Sequence, residues 1–444
     1  MQTIDTIKNI TDLKSSRHAI FMLIGCLFIS GLVCFAQING SRVLILACLI
    51  LFLIFTVWAC DNGMIFPVLL YFLPWSPLLK LQNGGTSYFT IALLVSCAIF
   101  FAKNGFSLKM YQVIITALIV VLTLTAKLLQ GNAIANSYLF FIVMLLLFPC
   151  ITKSQNFAAS FWDLTLFFAC GIIAAALSAQ QVAGYPNILQ YIKVDSYLNI
   201  TRLSGYYGDP NFYCAHITAC LAGVQLLLRR ERERVRQIIL ILLTIVLIYC
   251  GLLSASKSFI IVAVLLFLAW VPILLEKENR DNGRWGLLVA ILCVGVVVVS
   301  STAFRDLLQI VDSRFASASN LAELTTGRTD LWINYLNEFS HNAWLTLFGE
   351  GYTNVTLNGR ASHNTIIQGV YQFGALGFPL IFGWVLFTMK DMISSRKELH
   401  ISWKSVVLMG IGVVVPWLAL DILFFDEFFL LPVYAFLGVR YFSQ

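Results

Sequence analysis

The chain has 444 residues, of which 59% are hydrophobic and only 11% are charged. Soluble domains carry about 25% charged residues, so a mean hydropathy of +0.85 spread over many separate apolar runs excludes a soluble helical core. It calls instead for helices that cross lipid with their backbones satisfied internally. The net charge of +7 lies in short clusters between those runs, a sign of membrane topology and not of nucleic-acid binding.

The first apolar stretch, Ala19 to Ala36, is followed at once by others and reads as a first helix, not a cleaved signal. Candidate spans follow at 19–37, 42–60, 64–80, 86–102, 109–129, 136–150, 161–179, 206–228, 237–253, 258–275, 285–300, 364–389, 404–421 and 423–440. A bilayer core takes about 20 residues of helix, so the 136–150 stretch and the one broken by Pro67, Pro74 and Pro77 are marginal. The count is about fourteen, with about twelve as its lower bound. The eleven cysteines lie mostly within these runs, as Cys26, Cys34, Cys97 and Cys293 do. They show no metal-type spacing and read as small buried hydrophobes. No Walker loop, Rossmann turn or zinc set is present, so neither a metal nor another cofactor is expected.

When spans alternate, Lys8, Lys14 and Arg17, then Lys103 and Lys109, Lys153, the Arg229–Arg236 cluster, Lys277, Arg280 and Arg284, and finally Lys390, Arg396, Lys397 and Lys404 all fall on one side. The positive-inside rule makes that side cytoplasmic. Both termini are then cytoplasmic, and the polar loops at 180–205 and 301–362 face outward. The expected organisation is N-terminal transmembrane helices over 1–180, a first outer loop with central helices over 181–300, a large outer loop over 301–362, and C-terminal helices over 363–444. Within the large loop, Leu331, Tyr335 and Phe339 recur every four residues beside Trp332 and Leu336. The spacing predicts an amphipathic helix lying on the bilayer surface or capping a cavity. The turn-rich Phe348-Gly349-Glu350-Gly351-Tyr352 follows.

The groups suited to chemistry sit in or beside these two loops. His363 precedes the 364–389 span, where an imidazole at a helix start can accept a proton; the other reading is an interface histidine beside a cap. Arg202 in Thr201-Arg202-Leu203-Ser204-Gly205 and Arg328 in Thr326-Gly327-Arg328-Thr329 are bidentate partners for phosphate oxygens, or cations reaching lipid headgroups. A helix opening near Arg328 adds amide donors for a diphosphate. Arg305, Arg314 and Arg360 add cations on a side that usually avoids them, which points to an anionic ligand. In Gly205-Tyr206-Tyr207-Gly208-Asp209-Pro210-Asn211, Asp209 as cap and Pro210 at the first helical position account for a turn into a helix. Asp209 can also pair with an outer arginine or orient a hydroxyl. His216, two turns on, reads as packing or as part of a polar network and not as catalysis. Lys257 in Ser254-Ala255-Ser256-Lys257-Ser258 can contact phosphate. Asp421, Asp426 and Glu427 surround the last outer turn, either as functional carboxylates or as exposed ones.

These residues carry a resemblance. Arg202 with Gly205 and Asp209-Pro210-Asn211, then Ser256-Lys257-Ser258, Gly327-Arg328-Thr329 with Trp332, Phe348-Gly349-Glu350-Gly351, and His363-Asn364 with Gly374 and Gly377 resemble, in that order, the bacterial O-antigen ligase and polymerase superfamily. The resemblance covers mainly residues 200–390; the first 180 match only as apolar spans. It implies an all-α polytopic membrane protein, a GT-C-like glycosyltransferase that needs no metal. It implies that Arg202 and Arg328 bind the donor diphosphate and that His363 activates or aligns the acceptor hydroxyl. Asp209, Asn211, Lys257, Arg305, Arg314, Arg360 and Asn364 complete the expected substrate-binding set. The expected partners are undecaprenyl-diphosphate-linked glycans, membrane lipids and a chain-length regulator, in a bacterial inner membrane with the site facing the periplasm. The span count and the phenylalanine-rich N-terminal part favour a polysaccharide polymerase; the alternatives are a ligase that transfers glycan to lipid A core, or a transporter of the same lipid-linked glycan. A transporter predicts internal repeats and charged or broken helices at mid-membrane.

Overall fold

A computed structural model describes residues 2–82, 85–105, 108–135, 138–153, 160–192, 194–195, 200–274, 309, 312, 327–353, 356–394, 402–421 and 426–442. Apart from one two-residue strand pair, the regular structure described is helical. Among the described residues, seven helices are long and apolar enough to cross a membrane: Arg17–Asn39, Arg42–Asp61, Met110–Gln130, Phe161–Val182, Pro210–Arg230, Arg234–Leu253 and Thr365–Thr388. Shorter apolar helical stretches cover Ile65–Leu78, Tyr88–Lys103, Lys257–Ile273, Trp403–Ala419 and Leu430–Phe442. The expected span at 285–300 lies outside the described residues. The chain divides into two compact units, residues 1–103 with 154–209 and residues 104–153 with 210–444.

The first unit contains α1 (Gln2–Asn39), α2 (Arg42–Asp61), α3 (Ile65–Phe72) running into a 3-10 stretch (Leu73–Leu78), α4 (Tyr88–Asn104), α7 (Phe161–Val182) and the short α8 (Pro186–Leu189). Side-chain caps open two of these helices: Ser41 accepts from the Leu44 N–H, and Ser160 with Asp163 forms a capping box. The tightest seam joins α3 to α7. A Cβ on Gly171 would stand 2.1 Å from the Tyr71 carbonyl oxygen, so only glycine admits this approach. Trp75 Nε1 donates to the Gly171 carbonyl at 3.2 Å. Gln37 on α1 donates to the carbonyls of Leu78 and Lys80 at 2.7 and 2.9 Å, satisfying groups that the irregular 3-10 end leaves unpaired. The outward faces are apolar, with Phe21, Phe28 and Val43 at 62%, 63% and 80% exposure, the pattern of a surface solvated by lipid. The strands β1 (Val194–Asp195) and β2 (Ile200–Thr201) pair antiparallel, Val194 opposite Thr201.

The second unit contains α5 (Met110–Gln130), α6 (Tyr138–Lys153), α9 (Pro210–Arg230), α10 (Arg234–Leu253), α11 (Lys257–Leu274), α12 (Arg328–His341), α13 (Ala343–Phe348), α14 (Thr365–Ser394), α15 (Trp403–Val414) and α16 (Leu430–Phe442). Helix α9 is its core, packed by α10, α11, α15 and α16. Gly412 on α15 lets the backbones close: its Cβ would meet the Thr218 carbonyl at 2.7 Å, and Thr218 Oγ1 donates to the Gly412 carbonyl at 2.9 Å.

The two ends of this unit differ chemically. At one end Arg229 reaches Ser402 at the start of α15, Arg230 reaches the Tyr441 carbonyl at the end of α16, and Lys109 pairs with Asp391 near the end of α14. Helix α14 therefore runs antiparallel to α5, and α15 antiparallel to α9. The cationic linkers around 109, 229–236, 390 and 404 collect at this end. The opposite end carries the starts of α9, α11 and α14 and the segment after α15.

Candidate functional site

At that opposite end, the loop before α14 is folded around a carboxylate. Asp421 follows the 3-10 turn (Val415–Ala419) that ends α15, and only 6% of it is exposed. Its Oδ1 accepts from the Ser362 hydroxyl at 3.1 Å and the Asn364 N–H at 2.9 Å, and its Oδ2 accepts from the His363 N–H at 3.2 Å. Burial raises its pKa, and attraction to His363 and these donors pulls the other way. The loop is held further by Thr365 Oγ1 on the Leu420 carbonyl (2.5 Å) and by Gln368 Oε1 accepting from the Ser362 N–H (2.9 Å).

This grip fixes His363 at φ 51°, in the left-handed region that non-glycine residues adopt at a cost of order 1 kcal/mol or more. Its ring is half-buried, and Nδ1 is enclosed without a hydrogen-bond partner among the described residues. A strained histidine beside a buried carboxylate is a candidate to take a proton from a bound hydroxyl.

Helix α12 supplies the other wall. Trp332 Nε1 donates to the Ser362 carbonyl at 2.9 Å. Tyr335 Oη donates to the Arg360 carbonyl at 2.7 Å and accepts from the Leu357 N–H at 3.2 Å. Burial pushes the Tyr335 phenol up to about 12, so it keeps its proton and remains a donor. Arg328 is the first residue of α12, after the left-handed Gly327. It lies one turn before Trp332 on the same face, and the Trp332 indole reaches the residue before His363. The N-cap residue of α12, Gly327, has no side chain to cap the helix.

Asn364 is occupied by structure: its Oδ1 accepts from the N–H groups of Ile366 and Ile367, and its Nδ2 donates to the Leu418 carbonyl. At the same end of the bundle, Asn211 Oδ1 accepts from Ser256 Oγ at 2.7 Å and Ser258 Oγ at 3.3 Å. Lys257 is the first residue of α11, after the left-handed Ala255. Arg360 has an exposed side chain. Arg305 and Arg314 lie outside the described residues. Arg202 and Asp209 belong to the first unit. Arg202 is 7% exposed, a depth at which a guanidinium is not merely reaching outward to headgroups. The turn after it is pinned by Tyr206 Oη donating to Ser178 (2.8 Å) and Tyr207 Oη donating to the Leu73 carbonyl (2.7 Å). Asp209 stands before Pro210, which opens α9 as the sequence predicts.

Two site residues were under-read in the sequence. Asp421 stood there only as one of three carboxylates at a turn; the structure buries it, and Glu427 with it, instead of exposing them. Tyr335 stood as one member of an apolar stripe, and its hydroxyl proves to be a hinge pin for the 357–363 loop. His216 is fully buried within α9, as packing requires. No family model matches the chain, and no curated protein matches it.

Proposed function

We propose that this chain is a membrane glycosyltransferase that polymerises glycan carried on undecaprenyl diphosphate. The supporting observation is the constellation at one end of an apolar helical bundle: His363 held in a strained pose by Asp421 and Trp332, with Arg328 on the neighbouring helix face. In the reaction, the bond between the anomeric carbon and the diphosphate oxygen breaks, and an acceptor hydroxyl forms the new glycosidic bond. His363 takes the hydroxyl proton. Arg328 stabilises the charge developing on the departing diphosphate, and the resemblance adds Arg202 to that role. The good leaving group removes any need for nucleotide energy. The reading carries with it a GT-C-like fold of about fourteen spans, cationic linkers in the cytoplasm and the His363 end in the periplasm.

The test is a reconstituted assay with purified protein and undecaprenyl-diphosphate-linked repeat units, without lipid A core. A ladder of lipid-linked oligomers is expected. Transfer only when lipid A core is supplied replaces polymerase with ligase. Silence in both assays from folded protein removes the enzyme reading and returns the transporter.

A further inference from the structure

Helices α12 and α13 form an elbow between α5 and α14. One side of the elbow is a small core in which Tyr335 and Leu345 pack on Tyr371, with Leu331, Phe339 and Ile367 around them. The other side leaves Ile333, Leu336, Trp344 and Leu347 exposed at 49%, 56%, 58% and 42%. The elbow does not lie above the bundle. A Cβ on Gly374 would stand 2.2 Å from the Leu347 carbonyl oxygen, and Gly374 is nine residues into α14, roughly 14 Å from its start at 1.5 Å per residue. A Cβ on Gly351, just after α13, would stand 3.7 Å from Ala126 Cβ, four residues or roughly 6 Å back from the end of α5. The end of α13 thus sits below the ends of both helices.

The backbone there is irregular but satisfied. The Glu350 N–H donates to the Tyr371 carbonyl at 2.7 Å and the Gly351 N–H to the Gln372 carbonyl at 2.9 Å, the carbonyls freed where α14 breaks at Gly374. Non-helical backbone is tolerated at membrane depth only when it is paired in this way. The exposed side chains of the elbow continue the apolar surface of its neighbours, where Val121, Leu124 and Leu128 on α5 and Ile366 and Leu376 on α14 are exposed at 58%, 47%, 85%, 51% and 46%.

We propose that the α12–α13 elbow is a re-entrant lipid contact, with the side chains of Trp344 and Leu347 among the acyl chains at the headgroup boundary. Tryptophan suits that boundary, with its ring in the apolar layer and its N–H toward water. The consequence is that the wall bearing Arg328, Trp332 and Tyr335 is seated in the bilayer and not suspended in water. The inference rests on α5 and α14 being membrane spans.

A photo-crosslinking benzophenone side chain introduced singly at Trp344, Leu347, Val121 and Asn334, in full-length protein in nanodiscs of phosphatidylethanolamine and phosphatidylglycerol, tests it by mass spectrometry of the adducts. Lipid adducts are expected at 344, 347 and 121, with their loss at the exposed Asn334, which lies on the polar face of α12 with Asp330 and Glu338. Lipid at 121 but protein adducts or none at 344 and 347 overturns the lipid seat alone, a second copy or the chain's own large loop being then the occupant. Absence of lipid at all four positions overturns the span reading and the seat with it.

Discussion

At the scale of single residues, His363 combines a backbone cost with an imidazole suited to a base, and the two are separable. Glycine adopts φ 51° without strain but has no base. His363→Gly is therefore expected to keep stability within about 1 kcal/mol of the parent, because relief of strain offsets the gain in chain entropy of the unfolded state. Turnover is expected to fall about 100-fold or more, the usual contribution of a positioned base. Thermal unfolding and the lipid-linked oligomer assay measure the two effects; unchanged turnover removes His363 from the chemistry. Asp421 makes a prediction in pH. Its folded carboxyl holds its proton more tightly than an unfolded one, because burial outweighs the pull of His363 and the three donors. Ionising it thus costs stability as pH rises from the unfolded to the folded value. Asp421→Asn is expected to remove that part of the pH dependence of unfolding. It is also expected to remove an acid limb of turnover shifted upward from an ordinary carboxyl by that burial. A mutant with the parental pH profile sinks the coupling.

At the scale of elements, the break in α14 is the feature most easily tested. Gly374 (φ 69°, ψ 173°) and Gly349 (φ 76°, ψ −175°) occupy a region that glycine alone uses, and each would press a Cβ into a carbonyl oxygen at 2.2 and 2.5 Å. Gly374→Ala is expected to cost about 3 kcal/mol or more in thermal unfolding. Gly410→Ala on α15, where a Cβ meets nothing within 4 Å, is expected to be neutral or to stabilise by up to about 1 kcal/mol. Equal effects of the two would contradict the seam. What the sequence made legible was local. The four-residue recurrence of Leu331, Tyr335 and Phe339 marks α12, Pro210 marks the start of α9, and the apolar runs mark the spans. What it hid was nonlocal. Asp421 binds a loop 58 residues earlier, and neither segment carries a pattern that names the other. Gly374 is opened by the carbonyl of Leu347, so α14 reads as one continuous apolar run although its backbone is two helices.

At the scale of the whole molecule, the polarity of the second unit carries the orientation. Lys109, Arg229, Arg230 and Asp391 share one end, while Asp421, His363 and Arg328 share the other. Single cysteines at Asn337 and at Arg232, both exposed, are expected to react with a membrane-impermeant maleimide from opposite sides of intact cells, Asn337 from outside and Arg232 only after permeabilisation. Of the nine native cysteines whose burial is described, eight are buried and Cys170 is half-buried, so these interfere little. Labelling of both from one side would break the arrangement in which α9 and α14 run together and α15 runs against them across a membrane.

The seam at Gly374 also bears on how the protein is made. The amides of Glu350 and Gly351 find their acceptors, Tyr371 and Gln372, only after some 20 further residues have left the ribosome. Until then the elbow has exposed amides and no floor, and the upper half of α14 lacks the neighbour that completes it. Segments 343–351 and 365–377 complete each other's backbone pairing, and a nascent chain stalled between them would hold Arg328 and α12 before His363 has been added.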